Sequence, residues 1–408
     1  MTKRNIYLER YAWPTIGLYE QIINSPELIV VIPAHKESNI VQALESLNAC
    51  SLPPSEVAII IIINESQEAD QLTTSINQKC LEAINSFDSK YQVLTEYLKL
   101  PPKKAGVGLA RKIGMDEAAR HFDAVEKDGI IISYDADCHS SPNYLSEIKT
   151  YFDYIENNVG LVHYEHDLEG ENHVAIINYE LHLRYYINAL RIAKYPNALQ
   201  TLGSCITVRS SAYQKQGGMN TRKAGEDFYF IHKMVPLGGI GEINTTTVYP
   251  SDRTSDRVPF GTGHAIDKFL SNPTDEYPTY NPLIFNDLMF VNQDLKTWYQ
   301  NPNFQISRAP SSLGAFFKAT DFQKSLEKIV AQSGDYENFV NRYYQWWDGF
   351  KVLKYVHFAR DHYYPNAPLD EACAWVSKLL NINILGKSRR EVLLELRRHD
   401  KRQIFYIK

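Results

Sequence analysis

Two pairs of acidic residues have the types and spacing to carry out chemistry, and the first is Asp135-Ala136-Asp137, which directly follows an apolar run. Two carboxylates at i and i+2 can hold one Mg²⁺ or Mn²⁺ ion, because these hard cations prefer oxygen ligands and share them with substrate phosphates. Solvated loop acids have the same spacing, so the spacing alone is weak evidence. The position after a predicted buried strand favours a metal site.

Glu226 and Asp227 form the second acidic pair, at the start of a predicted helix. Adjacent acids at a helix start often do no more than interact favourably with the helix dipole. Beside a metal–phosphate site, a carboxylate could instead remove the proton from an attacking hydroxyl group. The spacing leaves both interpretations open.

The loop at residues 101–108 combines Pro, Lys and Gly and, with the residues that follow it, could bind phosphate. Gly106 and Gly108 would let backbone N–H groups approach an anion, which Arg111 and Lys112 would neutralise. The spacing matches neither a P-loop nor a dinucleotide-binding turn, so an exposed basic loop is an equal alternative.

His264 follows a Gly-Thr-Gly turn and is a candidate third metal ligand if residues 251–264 fold over the acids. A lone His is more often an ordinary surface or core residue. His139 and His232 are weaker candidates for the same role.

The elements that position these residues alternate between strands and helices. Nearly continuous apolar runs predict strands buried on both faces, which is typical of a parallel sheet flanked by helices. The predicted strands are 28–32, 57–63, 91–98 and 129–134, and the predicted helices between them are 39–47, 69–86 and 109–119. Ligands of such sheets bind at the carboxyl ends of the strands, where His35, Glu37, Asn64 and the two aspartates lie.

The alternation loosens after residue 140. Patterns predict a helix over 178–192, a strand over 204–208, a helix from 225 and a largely helical region over 315–394. We therefore expect three segments: an N-terminal leader (1–26), a domain built on the predicted parallel sheet (27–265) and a mostly helical C-terminal region (266–408).

Composition limits the classes of partner that the chain is expected to bind. The 408 residues include 43 Lys plus Arg and 48 Asp plus Glu, a net charge of −5 that gives no expectation of nucleic acid as a partner. The five cysteines form no CxxC pair, which predicts reduced buried thiols. No secretory signal precedes the first strand, and the longest apolar run, 57–63, is too short to cross a bilayer, so we expect a cytoplasmic protein without an integral membrane segment.

Three stretches together resemble family 2 glycosyltransferases with the GT-A fold. VVIPAHKESNI (residues 30–40) resembles the first strand and nucleotide-binding turn of that family, ISYDADC (132–138) its DxD strand and GED (225–227) its ED motif. The resemblance covers about 27–265. It implies a Rossmann-like, mostly parallel sheet flanked by helices, here with a helical C-terminal region.

The resemblance implies transfer of a sugar from a nucleoside diphosphate sugar to an acceptor hydroxyl, with inversion. Asp227 would be the general base and Glu226 would orient it or touch the acceptor, while Asp135, Asp137 and His264 would hold Mn²⁺ or Mg²⁺. The residues that would bind the nucleotide sugar are Pro33, Ala34, His35, Glu37, Asn64, Gly106, Lys112, Asp135, Arg253 and Arg257.

The sequence departs from the family at two places. The second strand ends in Asn64-Glu65-Ser66, where the family has an Asp-Asp-Gly-Ser-like turn that grips base and ribose. Lys36 stands where Asn is common. The identity of the nucleotide is therefore not predicted, and neither are the sugar, the acceptor and the oligomeric state.

Other functions remain as alternatives. A retaining GT-A glycosyltransferase would also use a His in the C-terminal loop. A haloacid-dehalogenase-like phosphatase also places two aspartates after a parallel strand, but a small hydroxyl residue closely follows its nucleophile, and this chain has His139. A catalytically inactive module that binds a sugar nucleotide or a glycan would have no need of Asp227.

Overall fold

The computed structural model describes residues 4–254, 261–272, 276–302 and 308–407, which form two compact units. The first unit contains Met1–Glu171, Thr201–His264 and Asp400–Lys408, and the second contains Asn172–Gln200 and Ala265–His399. The chain passes from the first unit to the second at residue 172, returns at 201, passes to the second again at 265 and ends in the first from 400.

The strands of the first unit build one mixed sheet. In chain order all strands are β1 (Leu28–Ala34), β2 (Val57–Ser66), β3 (Gln92–Leu100), β4 (Ile130–Ser133), β5 (His139–Ser140), β6 (Val159–Tyr164), β7 (Ile206–Arg209), β8 (Ile240–Tyr249), β9 (Pro278–Thr279), β10 (Ala367–Pro368) and β11 (Tyr406–Ile407). Within the described residues, nine strands form this sheet in the order β11-β8-β6-β7-β4-β1-β2-β3, with β5 paired to β8. The strands β9 and β10 pair separately.

The half of the sheet predicted from the apolar runs is parallel. Strands β1, β2, β3 and β4 pair in parallel, and each of β1, β2 and β4 is buried almost throughout. The expected α/β class with a helical C-terminal region is confirmed. The other half is partly antiparallel, because β7 runs against both β4 and β6. Strands β6 and β8 lie outside the segments that the sequence predicts as strands.

Helices flank the sheet in the first unit and dominate the second. The first eight are α1 (Ile6–Arg10), α2 (Ile40–Asn48), α3 (Gln71–Ser86), α4 (Val107–Ala124), α5 (Tyr144–Phe152), α6 (His173–Ile192), α7 (Ser210–Lys215) and α8 (Glu226–Met234). The others are α9 (Thr262–Ser271), α10 (Pro282–Gln293), α11 (Leu295–Gln300), α12 (Ser311–Ala319), α13 (Phe322–Ala331), α14 (Tyr336–Trp346), α15 (Gly349–His362), α16 (Leu369–Leu379) and α17 (Arg389–Arg402). In the part of the chain that the structure describes, no helix combines the length and apolar composition needed to cross a bilayer.

Helix α4 is central to the first unit, since it packs on β1 and β2 and most of its side chains are buried. A helix buried on all sides is usually apolar all round. Here it also carries buried charged residues: Arg111, Lys112, Asp116 and Glu117. Glu117 accepts hydrogen bonds from the backbone N–H groups of Ile16 and Tyr19, so the N-terminal segment is bound to the first unit.

An aromatic core holds the second unit together. Trp298 and Trp347 are fully buried, and Phe317 stacks on Phe322 with ring centroids 4.0 Å apart. Aromatic side chains bury large apolar areas and gain further from such ring contacts.

Candidate active site

The carboxylates of Asp135 and Asp137 follow β4 in the parallel half of the sheet, at the edge where ligands of such sheets bind. Their side chains are 33% and 25% exposed. Both therefore reach solvent, although Tyr134 and Cys138 on either side of them are buried.

Arg111 of α4 joins the two acidic motifs. Its Nη2 donates to Asp135 Oδ1 at 2.6 Å, and its Nη1 donates to Glu226 Oε1. Arg111 and Glu226 are both buried. One guanidinium group thus links the end of β4 to the start of α8, two places that lie far apart in the sequence.

Asp227 has a strongly perturbed carboxyl group. Burial, followed by the neighbouring charge of Glu226, raises the pKa of Asp227 to about 7. Arg111 and a hydrogen bond from the N–H of Phe228 at 2.7 Å act in the opposite direction. A carboxyl group whose pKa lies near neutral pH is suited to accept a proton.

Two glycines allow the start of α8 to lie close to α4. Gly225, directly before α8, has φ 69°, a conformation that glycine adopts without the penalty of a Cβ. At Gly108, a Cβ would lie 2.1 Å from the carbonyl oxygen of Arg222. The backbone that leads into α8 therefore lies directly on the first turn of α4, which brings Glu226 within reach of Arg111.

Arg253 ties Asp137 to the turn after β1. It donates from Nη1 to Glu37 Oε1 at 2.9 Å and from Nη2 to Glu37 Oε2, and its Nη2 lies 2.8 Å from Asp137 Oδ2. Glu37 is buried, so this bidentate pair connects two of the predicted binding residues. Arg257 lies outside the described residues.

The strand ends of β1 and β2 are connected by polar side chains. The Asn64 amide donates to the Ala34 carbonyl at 3.2 Å and accepts from the Gly106 N–H at 3.3 Å. His35 Nδ1 donates to the Asn64 carbonyl at 2.7 Å. The structure therefore brings Ala34, His35, Asn64 and Gly106 together, with Pro33 in register beside Ile62 on β2.

The two departures from the family pattern have structural consequences. Glu65 is buried and accepts hydrogen bonds from Tyr97 at 2.6 Å and from Asn77 at 3.1 Å. Lys36 has φ 51°, a left-handed conformation that Asn tolerates better than Lys. The N–H of Lys36 donates to Asn77 Oδ1 at 2.8 Å, so Asn77 supports both turns.

Lys112 lies in a different cluster from its neighbour Arg111. Its Nζ donates to Tyr7 Oη at 2.9 Å and lies 3.0 Å from Asp116 Oδ2. Arg111 is therefore the cation that joins the two acidic motifs, although its place in the sequence indicated only a phosphate-binding loop. The helical period of α4 is the signal that separates the two residues, since adjacent positions point about 100° apart.

The candidate histidines lie in separate surroundings. His264 is exposed in the first turn of α9. His139 stacks on Tyr249, and His232 packs against Phe228, where burial lowers the pKa of His232 to about 4. Among the described residues, no group of three or more His, Cys, Asp or Glu side chains is arranged to hold a metal ion. The role of His264 stays a prediction.

The donor set fits a divalent ion that is completed by its substrate. Asp135 and Asp137 supply hard oxygen atoms that partly face solvent. Mg²⁺ is commonly bound by one or two carboxylates together with substrate phosphates, so two aspartates are sufficient on the protein side. Each already contacts an arginine, which an incoming ion would have to share or displace.

Comparison with known proteins gives solved structures with low sequence identity to this chain. No family model and no curated protein matches. The chain is similar to S. aureus TarS 1–349 in complex with UDP-GlcNAc, with a TM-score of 0.42 and 12% identity over 79% of this chain and 92% of that chain. It is also similar to the mannosyltransferase PcManGT from Pyrobaculum calidifontis in complex with GDP-Man and Mn²⁺, with a TM-score of 0.37 and 11% identity over 84% and 93%. At such similarity, the function must be argued from the residues of this chain.

Proposed function

We propose that this chain is a metal-dependent glycosyltransferase of the GT-A type that moves a sugar from a nucleoside diphosphate sugar to an acceptor hydroxyl with inversion. The observation that carries the proposal is the pair of acidic motifs joined by Arg111: two partly exposed aspartates after β4, and a carboxyl group with a pKa of about 7 at the start of α8.

The reaction assigns one task to each motif. Asp227 accepts the proton of the acceptor hydroxyl, whose oxygen bonds to the anomeric carbon of the donor sugar. The bond from that carbon to the diphosphate breaks, and the nucleoside diphosphate leaves with the electron pair. With a pKa near 7, a large fraction of Asp227 is ionised at neutral pH and ready to take the proton.

Asp135 and Asp137 would hold the Mn²⁺ or Mg²⁺ ion, which would stabilise the charge on the leaving diphosphate as a Lewis acid. Arg253 lies beside Asp137 and would offer a second cation to the diphosphate. His35, Asn64 and Gly106, at the ends of β1 and β2 and the start of α4, would flank the nucleoside.

Donor binding tests the first motif. We expect one of UDP-, GDP- and dTDP-sugars to raise the melting temperature of the protein in the presence of Mn²⁺, because a ligand that binds only the folded state stabilises it. UDP-GlcNAc and GDP-Man are suitable first probes. Asp137→Ala should abolish the Mn²⁺-dependent part of this shift, whereas equal losses with and without metal would contradict metal coordination.

Sugar transfer tests the second motif. Asp227→Asn should keep donor affinity and lower kcat by about 10²–10⁴-fold, because the base is lost while the metal site remains. Asp128→Asn is the control, since Asp128 is an exposed carboxylate of the same unit that accepts from Ser211. If the wild type binds a donor without ever transferring its sugar, the chain is the inactive binding module.

A further inference from the structure

The link that Arg111 makes between the two acidic motifs affects the glycosyl transfer proposed above. The inference rests on that proposed function. We infer that Arg111 is a positioning residue: its guanidinium fixes the carboxylate of Asp135, on the donor side, at a set distance from Glu226 and Asp227, on the acceptor side. The base is thereby aligned with the bond that it must help to form.

The geometry of the guanidinium supports this role. Nη2 contacts Asp135 and Nη1 contacts Glu226, so its two ends are bound to different elements of the fold. The buried Nε has no hydrogen-bond partner in the described residues. A buried donor without a partner lowers the stability of the fold. This arrangement therefore gives up stability while keeping the fork directed at both motifs.

The charges around Arg111 are unbalanced. One guanidinium lies among the carboxylates of Asp135, Glu226 and Asp227, all of which act on it electrostatically. A lysine would keep the charge but could not bridge two carboxylates with a planar fork. Arg111→Lys therefore removes the bridge and leaves a cation on the same helix.

Gly203 provides a second way to disturb the bridge. It lies in the turn before β7, and a Cβ built there would be 2.7 Å from Arg111 Nη2 and 3.1 Å from both Cζ and Nη1. Gly203→Ala would push the guanidinium away while leaving every charge in place. This variant tests the position of the Arg111 guanidinium separately from its charge and its hydrogen-bond donors.

The experiment measures transfer kinetics at several pH values for both variants. We expect each to lower kcat about 10–100-fold, as misplacement of reacting groups does, with a smaller change in the KM for the donor. In Arg111→Lys, the rising limb of the kcat profile should also shift to higher pH, because Arg111 lowers the pKa of Asp227.

Two controls separate positioning from loss of stability. Gly114→Ala crowds the same helix against the sheet, since the three atoms nearest to its Cβ would belong to Val31, Ile62 and Ile60, with Val31 Cγ1 at 2.5 Å. Arg184→Lys changes another buried arginine, which is paired with Glu180 in the second unit. Both should lower the melting temperature and leave the kcat of the folded protein and its pH profile unchanged.

The outcomes distinguish the two proposals. A wild type that transfers no sugar would remove the proposed function. A wild type that transfers sugar, with kcat and pH profile unaltered in folded Gly203→Ala and Arg111→Lys, would overturn only the positioning role. If Arg111→Lys fails to fold, Gly203→Ala decides the question, because its guanidinium and carboxylates are all retained.

Discussion

Two clusters of buried charge lie on one helix, α4, and differ in how their charges are matched. Around Lys112, the Asp116 carboxylate accepts hydrogen bonds from Tyr7 at 2.5 Å, Tyr213 at 2.7 Å and the backbone N–H of Trp13 at 2.6 Å. Lys112 Nζ adds an ion pair at 3.0 Å. Both oxygens of this carboxylate are therefore engaged by the protein itself.

The cluster around the neighbouring Arg111 has more carboxylates than cations. Asp135 and Glu226 share one guanidinium, and the half-buried Asp227 has a raised pKa because of desolvation and the neighbouring charge of Glu226. Both clusters contain buried charged residues, so burial alone does not distinguish the proposed site from the Lys112 cluster. An imbalance of charge at a solvent-reaching edge of the sheet does so better, because it leaves a group ready to take a proton or a cation.

Breaking the charge-matched cluster of Lys112 and Asp116 should have the largest effect on stability. Asp116→Asn leaves Lys112 buried without its counter-charge and should lower the free energy of unfolding by about 3–5 kcal/mol. Urea denaturation measures this change. Asp123→Asn is the control on the same helix, since Asp123 is exposed and accepts from Asn5. Equal effects of the two variants would contradict the structural role given to the Lys112 cluster.

The sequence predicted the parallel half of the fold well, because its signals are local. β1, β2 and β4 are continuous apolar runs, and Asp135 and Asp137 could be placed at a strand end from that pattern alone. β6 and β8 were missed because β6 lies where the alternation of strands and helices loosens, and β8 combines threonines and a glycine with its apolar residues.

Long-range contacts explain what the sequence could not predict about the site. Arg111 and Lys112 are adjacent and both basic, yet only the packing of Gly108 against Arg222 decides which of them faces Glu226. Burial is likewise a property of the fold, so the raised pKa of Asp227 could not be predicted from two adjacent acids. The binding of residues 7–19 by Asp116 and Glu117 depends on side chains about 100 positions apart.

The cluster around Arg111, in which carboxylates outnumber cations, should make the stability of the protein depend on pH. The folded pKa of Asp227, about 7, exceeds the usual unfolded value, so between about pH 4 and 7 the folded state retains a proton that the unfolded state releases. Stability gained from this group is therefore lost as the pH rises, by at most about 1.4 kcal/mol per pH unit.

Asp227→Asn removes that titration and should become more stable than the wild type as the pH is raised. The measurement is the difference in the free energy of unfolding between variant and wild type at pH 5 and pH 8. Titrating groups away from this cluster contribute equally to both proteins and cancel in the difference. A difference that is the same at both pH values would contradict the perturbed carboxyl group.

The smallest of these effects sharpens the comparison within the matched cluster. Tyr7→Phe removes one hydroxyl that donates to Asp116 and accepts from Lys112, while Tyr213 and Trp13 continue to donate to the same carboxylate. Hydrogen bonds to charged groups contribute about 1.5–3 kcal/mol, so the loss should be smaller than that of Asp116→Asn. Tyr11→Phe, on an exposed ring, is the control and should stay within about 0.5 kcal/mol of the wild type. If Tyr7→Phe destabilised the protein as much as Asp116→Asn, a single hydroxyl rather than the full set of donors would be responsible for keeping Asp116 buried.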